Sequence, residues 1–134
     1  MATFVDTSGI LALMNASDQF HGAAWDAWEE LVATGERLTT SSFVLVEAYA
    51  LLQSRMGLDA VRTMHEDLLP LVEIHWIDAA CFTEAASALL VADRRQLSLV
   101  DCVSFVLMRR LDITQAFAWD NHFREQGFRL SGEQ

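Results

Sequence analysis

Four carboxylates occupy positions where an ionised oxygen is costly. Asp6 closes the apolar run Thr3-Phe4-Val5. Glu47 interrupts Phe43-Val44-Leu45-Val46 and Ala48-Tyr49-Ala50-Leu51-Leu52. Asp101 opens Cys102-Val103-Ser104-Phe105-Val106-Leu107-Met108, and Asp120 follows Ala116-Phe117-Ala118-Trp119. A carboxylate in apolar surroundings shifts its pKa, finds a partner or binds a metal, because leaving it charged and alone costs several kcal/mol or more. One chemistry accounts for all four together. Hard divalent cations such as Mg²⁺ and Mn²⁺ take oxygen ligands and keep waters. A bound ion lowers the pKa of its water, and a second ion about 3.5–4 Å away stabilises a leaving oxygen. That is the chemistry of phosphodiester hydrolysis.

Each acid also has a purely structural reading. Asp6 can cap the helix that follows its strand, Asp101 can be the acidic member of a capping box, and Asp120 can cap the turn at Asn121. Glu47 lies mid-helix, where no capping role exists, so its structural alternative is an internal salt bridge. No convincing Ser–His–Asp arrangement competes as a covalent mechanism.

The elements that position these acids follow from periodicity. A strand over about Ala2 to Val5 leads into a helix through Ile10 to Met14, capped by Thr7 or Ser8. A second helix carries Phe20, Ala24, Trp28 and Leu31 at helical spacing and stops at Gly35. Arg37-Leu38-Thr39 reads as a short strand. A long helix runs from Ser42 or Phe43 to about Arg55 and a fourth from Leu58 to Leu69. Leu71 to Ile77 reads as a strand, and Asp78 caps a helix to about Asp93. Ser98-Leu99-Val100-Asp101 has capping-box spacing before a helix ending near Leu111. Gln115 to Trp119 reads as a buried strand, Asn121 to Gln126 as a short helix, and Phe128 to Leu130 as a last strand. Strands alternating with helices predict an α/β fold with a mainly parallel sheet. Ligands bind such sheets at the carboxyl ends of the strands, where Asp6 and Asp120 fall.

Composition narrows the function. The chain is 134 residues long with more than half of them hydrophobic, which suits one domain, 1–134, with a real core. No apolar stretch approaches the roughly 20 residues of a membrane span, and no signal peptide is recognisable. Cys81 and Cys102 lack metal-ligand spacing and read as core residues in a reducing compartment, so the cytoplasm is the expected location. There is no lysine, so all nine fixed cations are arginines. P-loop and Schiff-base chemistry are excluded on that ground, and lysine-dependent phosphoaspartate chemistry is disfavoured. The net charge of −10 argues against nonspecific nucleic-acid binding by global electrostatics and suits a basic partner protein. Metal ions and local arginines still permit a nuclease.

These pieces, in their order and spacing, resemble a PIN domain, specifically the VapC-like toxins of bacterial toxin–antitoxin pairs. The match rests on Phe4-Val5-Asp6-Thr7-Ser8-Gly9, on Glu47 in its apolar helix, on Leu97-Ser98-Leu99-Val100-Asp101, and on Phe117-Ala118-Trp119-Asp120-Asn121-His122-Phe123 with Gly127-Phe128. The resemblance implies a three-layer α/β/α sandwich with a central sheet of about five short strands. Asp6, Glu47, Asp101 and Asp120 would be its catalytic, metal-holding acids, and Ser8 would support the first of them. It further implies an Mg²⁺- or Mn²⁺-dependent endoribonuclease, a homodimer held inactive by a cognate antitoxin. Metal-activated water would leave 5′-phosphate and 3′-hydroxyl ends. Ala118-Trp119 departs from the threonine that relatives often carry there.

Arg94 and Arg95 are further candidates for contact with RNA phosphates, with a solvated helix end as the bland alternative; His122, two residues past Asp120, is a candidate for touching a phosphate or a metal-bound water, with turn packing as its alternative. Phe20, Trp25 and Trp28 read as core, or as a surface for the antitoxin or a second copy. Two rivals remain: a PIN-fold binding module with a weakened site, and a metal-dependent phosphatase or DNA nuclease. The short chain lacks the extra helical elements usual in relatives that act on flap DNA.

Overall fold

The computed structural model describes residues 1–132; Glu133 and Gln134 of the expected domain lie outside the described residues. Five parallel strands, β1 (Ala2–Val5), β2 (Arg37–Ser41), β3 (Glu73–His75), β4 (Gln115–Phe117) and β5 (Arg129–Leu130), form one sheet in the order β3-β2-β1-β4-β5. Seven α-helices connect and flank them: α1 (Thr7–Met14), α2 (His21–Ala33), α3 (Ser42–Met56), α4 (Leu58–Thr63), α5 (Ala79–Ala92), α6 (Leu99–Arg110) and α7 (Asn121–Glu125).

Both faces of the sheet are covered, as a parallel sheet requires. Phe4 is in register with Ala116 and Val5 with Phe117. Side chains alternate along a strand, so Phe4 and Phe117 point to opposite faces. On one face Phe117 meets Trp28 of α2, with ring centroids 5.3 Å apart. On the other, Phe4 meets Phe123 at 6.4 Å, and Phe123 meets Phe105 of α6 at 5.1 Å. The expected three-layer α/β/α sandwich is thus assembled around two aromatic clusters. Cys81 and Cys102 are buried free thiols. No described helix is long and apolar enough to cross a membrane.

Two element boundaries depart from the periodicity. The helix expected from Leu58 to Leu69 ends as an α-helix at Thr63 and continues as a π turn, Met64–Leu68, and a 3₁₀ turn, Leu69–Leu71. Pro70 lacks an N–H and cannot extend an α-helical ladder, and the widened turn buries both Met64 and Leu68. The strand expected over Leu71 to Ile77 shrinks to Glu73–His75, because β3 is an edge strand paired only with β2.

Candidate metal centre

The chain runs outward in both directions from the central strand, so the crevice between β1 and β4 is the topological switch point where α/β sheets bind ligands. Asp6 follows the last residue of β1, and its backbone N–H donates to the Phe117 carbonyl at the end of β4, 3.1 Å away. It is Asp6 that caps α1, accepting from the Ser8 N–H at 3.1 Å. The expected caps, Thr7 and Ser8, lie inside the helix, because the chain turns one residue earlier. The close approach of α1 to β4 needs Gly9: a Cβ there would fall on the Phe117 carbonyl oxygen and ring.

Ser8 links the two strand ends. Its hydroxyl donates to Asp6 Oδ2 at 2.6 Å and accepts from the Trp119 N–H at 2.9 Å. Its one proton is committed to Asp6, so Ser8 orients a carboxylate and is poorly placed to act as a nucleophile. The same bond draws the chain off the sheet after Phe117, which ends β4 two residues before the expected Trp119.

Asp101 takes both halves of the expected capping box. Ser98 Oγ accepts from the Asp101 N–H at 3.0 Å, and Asp101 Oδ2 accepts from the Ser98 N–H at 3.3 Å. The first turn of α6 thereby fixes the side chain. Asp120 caps α7, accepting from the His122 N–H at 2.9 Å. The capping readings of Asp6, Asp101 and Asp120 are therefore all realised, and the same caps hold these acids at one place.

His122 closes the group. Its Nδ1 lies 3.2 Å from Asp101 Oδ2 and 3.3 Å from Asp120 Oδ1. Two carboxylates facing one ring nitrogen place the proton on Nδ1. One ligand atom each from Asp101, Asp120 and His122 lies within 4.8 Å of the other two. The sequence suggests His122 as a contact to phosphate or metal-bound water, or as a turn residue. The structure turns its ring into the acids, in keeping with the reading that places it near a metal-bound water rather than with turn packing; the contact to Asp101 is not visible in residue spacing.

Burial pushes the Asp6 carboxyl up to about 7 from 3.8; the Ser8 hydrogen bonds oppose this, and the neighbouring charges of Asp101 and Asp120 add to it. Asp101 is raised too, by burial first and then by Asp120, against the Ser98 N–H and His122. Arg37, Arg62, Arg94 and Arg110 pair with Glu73, Asp59, Glu125 and Glu84. The cluster is an oxygen-rich, anionic pocket whose own energetics call for a cation. It fits a hard divalent ion by donor type and by charge.

Glu47 sits half-buried on α3, which packs against α1 and α6, the helices whose first turns carry Asp6 as cap and Asp101 as third residue. It has no ion pair or hydrogen bond to the described residues, so the internal salt bridge is not its explanation. It stands outside the tight group of Asp101, Asp120 and His122. Arg94 bonds Glu125 of α7 at 2.7 Å, and Arg95 is exposed in the same loop. Trp28 is core, while Phe20 and Trp25 stay 37% and 43% exposed. Phe20 meets Trp119, the residue before Asp120, at 6.1 Å. That pairing escapes a sequence reading because its partners are 99 positions apart (119 − 20).

A parallel sheet of this order with acids at its switch point is the PIN architecture, and the PIN domain pattern matches residues 3–129. The chain belongs to that family. It is 36% identical over 126 residues to the 23S rRNA-specific endonuclease VapC20 of Mycobacterium tuberculosis, covering 93% of this chain and 94% of that protein. The crystal structure of M. tuberculosis VapC20, a Sarcin-Ricin loop cleaving toxin, superposes with a TM-score of 0.82 at 35% identity, covering 95% of this chain and 96% of that one. VapBC2 from Rickettsia felis shares the fold at 15% identity, with a TM-score of 0.72 over 98% of each chain.

Proposed function

We propose that this protein is a VapC-type endoribonuclease, the toxin of a toxin–antitoxin pair, acting on RNA in the cytoplasm with Mg²⁺ or Mn²⁺. The carrying observation is the gathering of Asp6, Asp101 and Asp120 at the switch point, with two of them raised in pKa and His122 as the ring that faces them. The similarity to VapC20 over most of both chains supports the substrate class, and makes 23S rRNA the first RNA to test.

In this reading Asp6, Asp101, Asp120 and Glu47 hold the metal, directly or through water. A divalent ion held there supplies Lewis acidity and makes hydroxide available near neutral pH. Ser8 keeps Asp6 in one rotamer. The Ser98 cap does the same for Asp101. His122 faces both Asp101 and Asp120 and holds the two carboxylates together. A cognate antitoxin and a second copy of the chain are the proposed protein partners.

The test is incubation of purified, antitoxin-free protein with ribosomal RNA, in Mn²⁺ or in EDTA, beside Asp6→Asn, with mapping of new ends. Discrete cuts that need both metal and Asp6, with 5′-phosphate and 3′-hydroxyl ends, are expected. Ends carrying 2′,3′-cyclic phosphate would overturn the mechanism. Absence of metal-dependent cuts by folded protein would favour a binding module.

A further inference from the structure

Beside the acids lies a cleft of about 610 Å³ between α2 and the ends of β4 and β5. One wall is the Phe20–Trp119 pair, with centroids 6.1 Å apart and planes at 32°. Trp119 immediately precedes Asp120, and its N–H is held by the same Ser8 hydroxyl that bonds Asp6. The ridge is therefore rigidly joined to the candidate metal centre. On the far side of the ridge a second cleft, of about 320 Å³, contains Ser8 and Arg55.

Charge differs across that ridge. The smaller cleft offers the Arg55 guanidinium and a single carboxylate, Asp18. The larger carries two carboxylates to one guanidinium, that of Arg124: Asp26 and Glu30 stand four residues apart on one face of α2, both exposed and neither ion-paired among the described residues. Like charges at that spacing destabilise a helix slightly. Carboxylates repel a phosphate but accept hydrogen bonds from the exocyclic amino and ring N–H groups of a nucleobase. An aromatic wall provides a stacking surface for any base. Ser131 also lines this cleft. It is 6% exposed, and its hydroxyl has no hydrogen-bond partner among the described residues.

We propose that this cleft is a base-recognition subsite: a nucleotide beside the scissile phosphate stacks its base on Phe20 and Trp119, and Asp26 and Glu30 select a base with N–H donors on its pairing edge. The neighbouring phosphate follows the Arg55 side. Guanine, with adjacent imino and amino donors, matches a carboxylate best. Uracil, with a single ring N–H between two carbonyls, matches worst. The proposal rests on the ribonuclease reading and adds to it a source of sequence preference.

The experiment digests a randomised RNA library with parent protein in Mn²⁺ and sequences the ends, beside the double variant Asp26→Asn/Glu30→Gln and, separately, Trp119→Leu. The parent is expected to prefer a donor-edged base at one fixed position beside the cut. In the double variant that preference falls about fivefold or more, the loss of one good base contact. Trp119→Leu is expected to weaken library binding for all bases alike. Because Asp26 and Glu30 are exposed, the double variant should keep the parent's melting temperature, and its digest remains interpretable if Trp119→Leu misfolds. An unchanged preference in a cutting double variant overturns the subsite while leaving the ribonuclease reading intact. If that variant also escapes inhibition by the cognate antitoxin, the cleft is a protein-docking site instead. Absence of metal-dependent cutting by the parent overturns the ribonuclease reading itself, and the subsite with it.

Discussion

Asp6 destabilises the metal-free fold, and the cost is measurable. Its carboxyl titrates at about 7 in the folded protein against 3.8 unfolded. A folded-state pKa above the unfolded value means that the native state binds more protons across that interval. Stability therefore falls as pH rises from about 4 to about 7, and the loss is complete above it. About three pH units correspond to roughly 4 kcal/mol. Asp6→Asn removes the charge while keeping an Oδ1 that accepts from the Ser8 N–H and hydroxyl. In EDTA at pH 8 the variant is expected to be more stable than the parent by about 2–4 kcal/mol, the lower figure allowing for weaker hydrogen bonds to a neutral acceptor. For a chain of this size that is a melting temperature higher by roughly 6–12 °C.

The assay is thermal unfolding by circular dichroism, in EDTA, from pH 4 to pH 8. The two proteins should melt together near pH 4 and diverge through pH 7. Asp101, raised in the same direction, is common to both and cancels in the difference. Mn²⁺ at a thousand times its Kd should cancel or reverse the order, since it adds about 4.1 kcal/mol to the protein that binds it. An Asp6→Asn protein less stable than the parent in EDTA at pH 8, or a difference that does not grow with pH, would refute the reasoning.

Four other perturbations follow from the same geometry. Ser8→Ala removes the hydroxyl that lowers the Asp6 pKa, so the acidic limb of the cleavage pH profile should move to higher pH; an unmoved limb would deny Ser8 its positioning role. Gly9→Ala drives a methyl onto the Phe117 carbonyl and ring and should cost about 1–3 kcal/mol by overpacking, read as a lower denaturation midpoint. Glu47→Gln should reduce cleavage at least about tenfold, or about 1.4 kcal/mol of barrier, with unfolding little changed, because the side chain makes no hydrogen bond to the described residues; full activity would remove Glu47 from the site. Ca²⁺ should raise the parent's melting temperature yet support little cutting, since it is larger and less exacting in geometry, and robust turnover in Ca²⁺ alone would contradict the assignment.

The sheet and its acids are legible in the sequence because parallel strands are short, apolar and separated by helical periods, and an acid at a strand end breaks that pattern visibly. Asp6 and Asp120 stand out for this reason, and Asp101 because Ser98 precedes it at capping-box spacing. What stays hidden depends on tertiary closure. The π turn at Met64–Leu68 buries both Met64 and Leu68, a demand no local periodicity encodes. Trp119 reads as strand, but leaves it because Ser8, far away in sequence, accepts its N–H. His122 reads as a turn residue or a contact to phosphate or metal-bound water, but its approach to Asp101, 21 positions earlier, is visible only in the fold.

Capping and metal holding are usually weighed as rival explanations of an acid, and in the proposed reading they are one device. Each carboxylate accepts a backbone N–H at the start of a helix, from Ser8, Ser98 or His122, and those donors partly offset the cost of burial. The three helices α1, α6 and α7 thus bring their N-termini to one point, where their dipoles favour negative charge. That field lets Asp6, Asp101 and Asp120 stand close together without an arginine among them. It cannot satisfy them fully, since Asp6 and Asp101 still titrate high. The remainder is what a divalent cation would relieve, and why a site made of helix caps can be both well ordered and avid for metal.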